Sequence, residues 1–291
     1  MEMGQVFFVV WRESVEAILV VGIVYAWLRH HPSGRIGLRY LWSGVAAGLV
    51  IATGLAAGLM GMGSLLSGSA QETFQTVMVL VASGLIVQMV IWMRRHGAGL
   101  SRELRESVDQ SIATSQYTGI AVLVAIAVAR EGAETVVFLY GIGAASISMG
   151  NGGTFALYAL AGFGVALVTF YILQLGSRVF SWRHFFRVSE ALLLLLAGSL
   201  LVSGVDRLIG MGWLPAGMDP VWSTPGLLDD STRFGGLVAA LTGYRAYPAL
   251  TDVIALAAFW VIVVALLRWS GRRPPRRTAT AGEQQPSTAA S

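Results

Sequence analysis

Residues Thr135–Ser177 read TVVFLYGIGAASISMGNGGTFALYALAGFGVALVTFYILQLGS, a run of 43 residues without one charged side chain. A helix crosses the hydrocarbon core of a bilayer in about 20 residues, so this run is long enough for two crossings and too long for one. Gly150-Asn151-Gly152-Gly153 in its middle supplies the turn between them. The stretch therefore reads as two membrane helices joined by a tight turn.

The same logic extends outward. The chain is 55% hydrophobic and 12% charged, with a mean hydropathy of +0.67, whereas a soluble domain carries about 25% charged residues. This excludes a soluble enzyme, a disordered regulator and a nucleic-acid binder, despite a pI near 9.8. Apolar length and the charges that interrupt it predict spans at about 5–28, 39–64, 72–93, 117–142, 153–177, 186–208 and 248–268. The first begins at Met1-Glu2-Met3-Gly4-Gln5, which has an acidic residue where a signal peptide needs a basic one. The expected fold is all-α and polytopic, with seven transmembrane helices. Repeat one covers about 5–93 and repeat two about 117–208, two three-helix inverted repeats; an extracytoplasmic loop at about 209–247 and the seventh helix follow.

The chain has 20 basic residues, all arginine, and they set the orientation. Arg29, Arg35 and Arg39, then Arg94, Arg95, Arg102 and Arg105, then Arg178, Arg183 and Arg187, and finally Arg268, Arg272, Arg273, Arg276 and Arg277 fall on one side. The positive-inside rule makes that side cytoplasmic and the N-terminus external, in a plasma (inner) membrane. Residues 101–115 place Leu104, Val108 and Ile112 at four-residue steps, as a short amphipathic surface helix would. Residues 271–291, rich in Arg, Pro, Thr, Ala and Gln, read as a disordered cytoplasmic tail.

Arg207, Arg233 and Arg245 fall on the opposite side, in or beside the long loop before span 7, and the last two arginines lie inside spans, each in the same setting: Arg12-Glu13-Ser14-Val15-Glu16 in span 1 and Arg130-Glu131-Gly132-Ala133-Glu134 in span 4. In each Arg-Glu-x-x-Glu motif the glutamates stand three residues apart and share a helix face. Three charges near a helix centre cost on the order of 8–10 kcal/mol before pairing is credited. A purely structural reading pairs Arg12 with Glu16 and Arg130 with Glu134. Against it, each motif holds two carboxylates for one arginine, and the motif recurs in the first span of each half. An inverted repeat of this kind builds a midplane site at the repeat interface, where Glu13, Glu16, Glu131 and Glu134 can converge. A thinner echo aligns Ala82–Val87 with Ala197–Val202, and so Gln75 with Glu190. Glu72 and Glu190, at the starts of spans 3 and 6, are candidates for an access path or simply solvated helix ends.

Four carboxylates and two guanidinium groups sum to a formal charge of −2, which suits a hard cation bound by oxygen. No cysteine is present, and His30, His31, His96 and His184 all fall at helix ends or loops, so thiolate and imidazole sites are not indicated. Iron, manganese, magnesium, calcium and a proton relay stay open on this ground.

With both motifs placed, the sequence resembles the oxidase-dependent high-affinity iron permease family. The likeness extends to the loop, through Pro220-Val221-Trp222, Gly235-Gly236-Leu237, Gly243-Tyr244 and Pro248. It implies an iron permease domain over residues 1–270 in which Glu13, Glu16, Glu131 and Glu134 hold the metal ion and Arg12 and Arg130 set its charge and geometry. It implies iron as cargo with no permanently bound cofactor, surrounding membrane lipid, and an extracytoplasmic oxidase or peroxidase and an iron-delivery protein as partners. Relatives often carry a Glu followed closely by a Glu-Gly pair at the start of span 3, where this chain has Glu72-Thr73-Phe74-Gln75-Thr76. Two other readings of the same residues are a transporter of manganese or lead, and a membrane scaffold that recruits an extracytoplasmic redox partner. An enzyme is not expected.

Overall fold

The computed structural model describes residues 3–30, 34–113, 117–148, 150–175 and 182–270. These residues form eight helices and one long loop between α6 and α8 that carries α7: α1 Met3–His30, α2 Gly34–Leu65, α3 Ser69–Ala113, α4 Thr118–Ser148, α5 Gly152–Leu175, α6 Trp182–Gly210, α7 Arg233–Thr242 and α8 Leu250–Ser270. The turn expected at Gly150–Gly153 separates α4 from α5. Among the described residues five helices are long and apolar enough to cross a membrane: Gly34–Leu65, Ser69–Arg95, Gly152–Ile172, Arg187–Gly210 and Leu250–Ser270. The other two expected spans are α1 and α4, helices of 28 and 31 residues whose Arg-Glu-x-x-Glu motifs lower their apolar character.

The burial pattern is that of a membrane bundle, with polar groups inside and apolar groups outside. On α1 the buried stripe Val6, Val9, Glu13, Glu16, Val20, Val24 follows the helical repeat and carries the acidic pair inward. The buried stripe of α2 is Gly37, Leu41, Gly44, Gly48 and Ala52, mostly small, while Leu49, Val50 and Ile51 face outward. Small residues let the α2 backbone approach α4 closely, and α5 lies along α1 in the same way. An apolar core formed by Val6, Val79, Ile86, Phe138, Leu193, Leu196 and Phe259 joins α1, α3, α4, α6 and α8.

Two close approaches correspond residue by residue. A methyl group at Gly48 would lie 3.0 Å from Ala125 O and 2.7 Å from Val128 Cβ, and one at Gly162 would lie 2.6 Å from Phe7 O and 3.2 Å from Val10 Cβ. Val10 and Val128 each stand two residues before a motif arginine, and Phe7 and Ala125 each stand five before. Four residues on from these glycines, Ala52 and Ala166 are both buried, against Gly132 and beside Val15 respectively.

α3 and α6 are antiparallel, as three contacts along them show. Arg94 of α3 pairs with Glu190 of α6, Ser83 Oγ donates to Ala197 O at 2.8 Å, and Arg207 Nη1 donates to Gln75 Oε1 at 3.3 Å, so the numbering rises on one helix as it falls on the other. α3 also runs unbroken to Ala113, where the sequence suggested a separate surface helix. No proline interrupts His96–Leu100, and Val108 is buried in a cluster with Leu28, Leu41 and Ile120, which holds the extension against the bundle. The expected tail at 271–291 lies outside the described residues.

The long loop is tied down. Val221 N donates to Pro248 O at 2.9 Å and Leu250 N to Met218 O at 2.9 Å, and Arg245 clamps Asp206 of α6 through Nε at 3.1 Å and Nη2 at 2.8 Å. Thr232 caps α7 by accepting from Gly235 N at 3.0 Å, and Gly243 ends it in the left-handed conformation. Near its other end, Gln5 of α1 donates to Ala240 O, and Ser199 of α6 donates at 3.3 Å to Ala239 O, which also accepts from Gly243 N at 2.9 Å, so side chains of α1 and α6 tie the last turn of the short helix to the bundle.

Candidate metal centre

Glu13 and Glu16 lie on the inward stripe of α1, and Glu131 faces them from α4. One carboxylate oxygen from each falls within 4.8 Å of the others, a triad drawn from two helices distant in sequence. Glu13 is 1% exposed and Glu16 and Glu131 are each 9% exposed, which places the triad in the interior of the bundle. Glu134, one turn beyond Glu131, accepts through Oε1 from Arg130 Nε at 3.0 Å and stands outside the triad.

The arginines are placed unequally. Arg12 is 2% exposed; its Nη1 donates to Glu13 Oε1 at 2.8 Å and its Nη2 pairs with Glu16. Each of these nitrogens also meets a thioether of α3, Nη1 at Met89 Sδ and Nη2 at Met93 Sδ, the latter at 3.0 Å. The Arg130 side chain is 36% exposed, and its Cζ lies 4.0 Å from the centre of the Trp92 ring, also on α3.

The buried groups left unsatisfied at the cluster are carboxylate oxygens and one nitrogen, Arg12 Nε. Glu13 Oε2, Glu131 Oε2 and Glu134 Oε2 are buried without a hydrogen-bond donor, and Glu16 Oε1 meets Arg12 as an ion pair without hydrogen-bond alignment. Buried polar atoms are ordinarily satisfied, and a cluster of orphaned carboxylate oxygens is the donor set a hard cation prefers. Three carboxylates and the Arg12 guanidinium leave a formal charge of −2, equal and opposite to that of a divalent ion.

Of the other expected site residues, Glu190 is engaged by Arg94. Glu72 opens onto a cleft of about 650 Å³ that it lines with Ser69, Thr73, Phe74, Met211 and Trp213. Along α3, Glu72 and Arg94 are about 33 Å apart at 1.5 Å per residue, so Glu72 and Glu190 sit at opposite ends of the α3 and α6 pair. Sequence reasoning that follows charge alone misses Met89, Trp92 and Met93. Their only sequence signal is that three large polarizable side chains fall within one helical turn just before Arg94 and Arg95.

Apolar helices around a buried, carboxylate-rich cluster are the arrangement of an integral membrane protein whose interior charges mark its candidate functional site. The model of the iron permease FTR1 family matches residues 3–270, and the chain belongs to that family. It is 26% identical over 278 residues to the ferrous iron permease EfeU of Shigella sonnei, covering 94% of this chain and 97% of that one. It is 24% identical over 275 residues to the ferrous iron permease EfeU of Yersinia pestis, with 94% of both chains covered. No solved structure matches it. The chain is thus a multi-pass membrane protein of an iron-transport family.

Proposed function

We propose that the protein imports ferrous iron through the cluster of Glu13, Glu16, Glu131 and Glu134, with Arg12 and Arg130 setting its net charge. The observation that carries this reading is the meeting of three buried carboxylates from α1 and α4, each with an oxygen that has no hydrogen-bond partner. The names of the Shigella and Yersinia relatives favour the ferrous ion. An ion arriving from the outer face exchanges water for carboxylate oxygens, and the inside-negative potential draws it inward by about 2.3 kcal/mol per charge per 100 mV. The cleft at Glu72 is the outer mouth and the Arg94–Glu190 pair closes the inner one. The protein is a transporter and not an enzyme, carrying iron as cargo with no resident cofactor, beside an extracytoplasmic oxidase or peroxidase and an iron-delivery protein.

The scaffold for this is seven spans, α1 to α6 and α8, in which α1–α3 and α4–α6 are inverted repeats. Support comes from the matched approaches of Gly48 to α4 and Gly162 to α1, and from antiparallel α3 and α6 meeting at Ser83 and Ala197, which lie within the aligned segments. If α3 and α6 are equivalent elements, their antiparallel course makes the repeats inverted.

The test is uptake of radioactive ferrous iron into proteoliposomes that contain only this protein. Glu13→Gln and Glu131→Gln should each abolish it while the protein still folds and reconstitutes. Uptake at the wild-type rate in either variant would refute the site.

A further inference from the structure

Arg12 and Arg130 differ in burial and in carboxylate partners, yet one turn of α3 touches both. Met89 and Met93 stand four residues apart on that turn and put their sulfurs on the two terminal nitrogens of Arg12; Trp92, between them, lies under Arg130. Each terminal nitrogen of Arg12 therefore bridges one carboxylate of α1 and one thioether of α3: Nη1 joins Glu13 to Met89, and Nη2 joins Glu16 to Met93.

A terminal guanidinium nitrogen carries two N–H donors, and a buried guanidinium deprived of acceptors turns to whatever oxygen is near. The residues that Arg12 already pairs with, Glu13 and Glu16, carry such oxygens, and they are among those a cation requires. A thioether accepts weakly and carries no charge, and an indole face attracts a cation without offering it an oxygen. Leucine would fill the space of either methionine about as well, so packing alone does not call for sulfur at both positions.

We propose that Met89, Trp92 and Met93 are positioning residues that hold the two motif arginines from the α3 side, so that neither guanidinium takes carboxylate oxygen beyond the atoms it already pairs with, Glu13 Oε1 and Glu16 Oε1 for Arg12 and Glu134 Oε1 for Arg130. The proposal rests on the reading of the glutamate cluster as the iron site. In it the sulfurs face arginine and not the metal, and the ion is bound by oxygen. The cradle acts on affinity: once freed, the guanidinium becomes a tethered competitor cation, raising the iron concentration needed for half-maximal uptake while leaving the saturated rate nearly unchanged.

The experiment compares ferrous uptake in proteoliposomes for Met89→Leu/Met93→Leu and Met89→Gln/Met93→Gln, with thermal unfolding of each in detergent as a check on folding. Glutamine restores an acceptor of similar reach while removing sulfur. The leucine pair should raise the half-saturating iron concentration about tenfold with the maximal rate within about twofold, and the glutamine pair should return it to within about threefold of wild type. Trp92→Phe, which keeps a ring face, should outperform Trp92→Leu in the same assay. An unchanged half-saturating concentration in the leucine pair overturns the proposal. So does a glutamine pair no better than leucine, because sulfur itself would then be what the site uses. Glu13→Gln run alongside separates the two readings: if it stops uptake while the leucine pair behaves as wild type, the cradle alone is wrong; if it transports normally, the site reading fails and takes the cradle with it.

Discussion

Arg12 and Arg130 occupy the same position in their motifs but face different surroundings. Arg12 is enclosed by two carboxylates and two thioethers, so Arg12→Ala leaves Glu13 and Glu16 buried without their cation and should destabilise the fold by about 3–5 kcal/mol. The Arg130 side chain is over a third exposed and pairs with one carboxylate, Glu134, so Arg130→Ala should cost less, about 1–2 kcal/mol. Unfolding midpoints of the two variants in detergent check the contrast, and equal losses would contradict it. The motif residues were legible in the sequence because charge inside an apolar run is costly and therefore conspicuous. The inequality of the two arginines was not, since identical Arg-Glu-x-x-Glu strings give no sign of which one α3 covers with sulfur and which with indole.

Among the elements, α2 and α5 depend on small residues where their backbones meet α4 and α1, Gly44 and Gly48 on α2 and Gly162 on α5. Gly48→Leu and Gly162→Leu should each force the helices apart and lower stability by at least about 1–3 kcal/mol, while Gly84→Ala, whose added carbon meets nothing within 4 Å, should be close to neutral. Matched losses at Gly48 and Gly162 would accord with equivalent halves; a loss at only one would speak against them. The sequence holds this correspondence as Ala47-Gly48-x-x-x-Ala52 and Ala161-Gly162-x-x-x-Ala166, a pattern too short to stand out in a chain with 35 glycines. The continuation of α3 was hidden for a related reason. Polar residues after Arg95 end the apolar signal, but helical hydrogen bonding does not require apolar side chains.

At the scale of the whole molecule, orientation and driving force can be measured directly. The chain contains no cysteine, so single replacements report topology without background. Ser67→Cys and Ser223→Cys should react with an impermeant maleimide added outside intact cells, and His30→Cys and Arg268→Cys only after permeabilisation; the reverse pattern would invert the protein. Ferrous uptake should accelerate when an inside-negative potential is imposed, by the roughly 2.3 kcal/mol per charge per 100 mV available to a cation crossing the full field. Uptake indifferent to potential would mean that the translocated step carries no net charge. The sequence by itself determined that this is a helical membrane protein, where its apolar segments lie, and that two glutamate pairs stand inside them, because hydropathy, turn residues and misplaced charge are local properties of the chain. Only the tertiary structure decided that Glu13, Glu16 and Glu131 meet while Glu134 turns to Arg130, that Glu190 is engaged by Arg94, and that a single turn of α3 holds both arginines. Those outcomes depend on how helices distant in the chain rotate and pack against one another, which the periodicity of any one helix leaves undetermined.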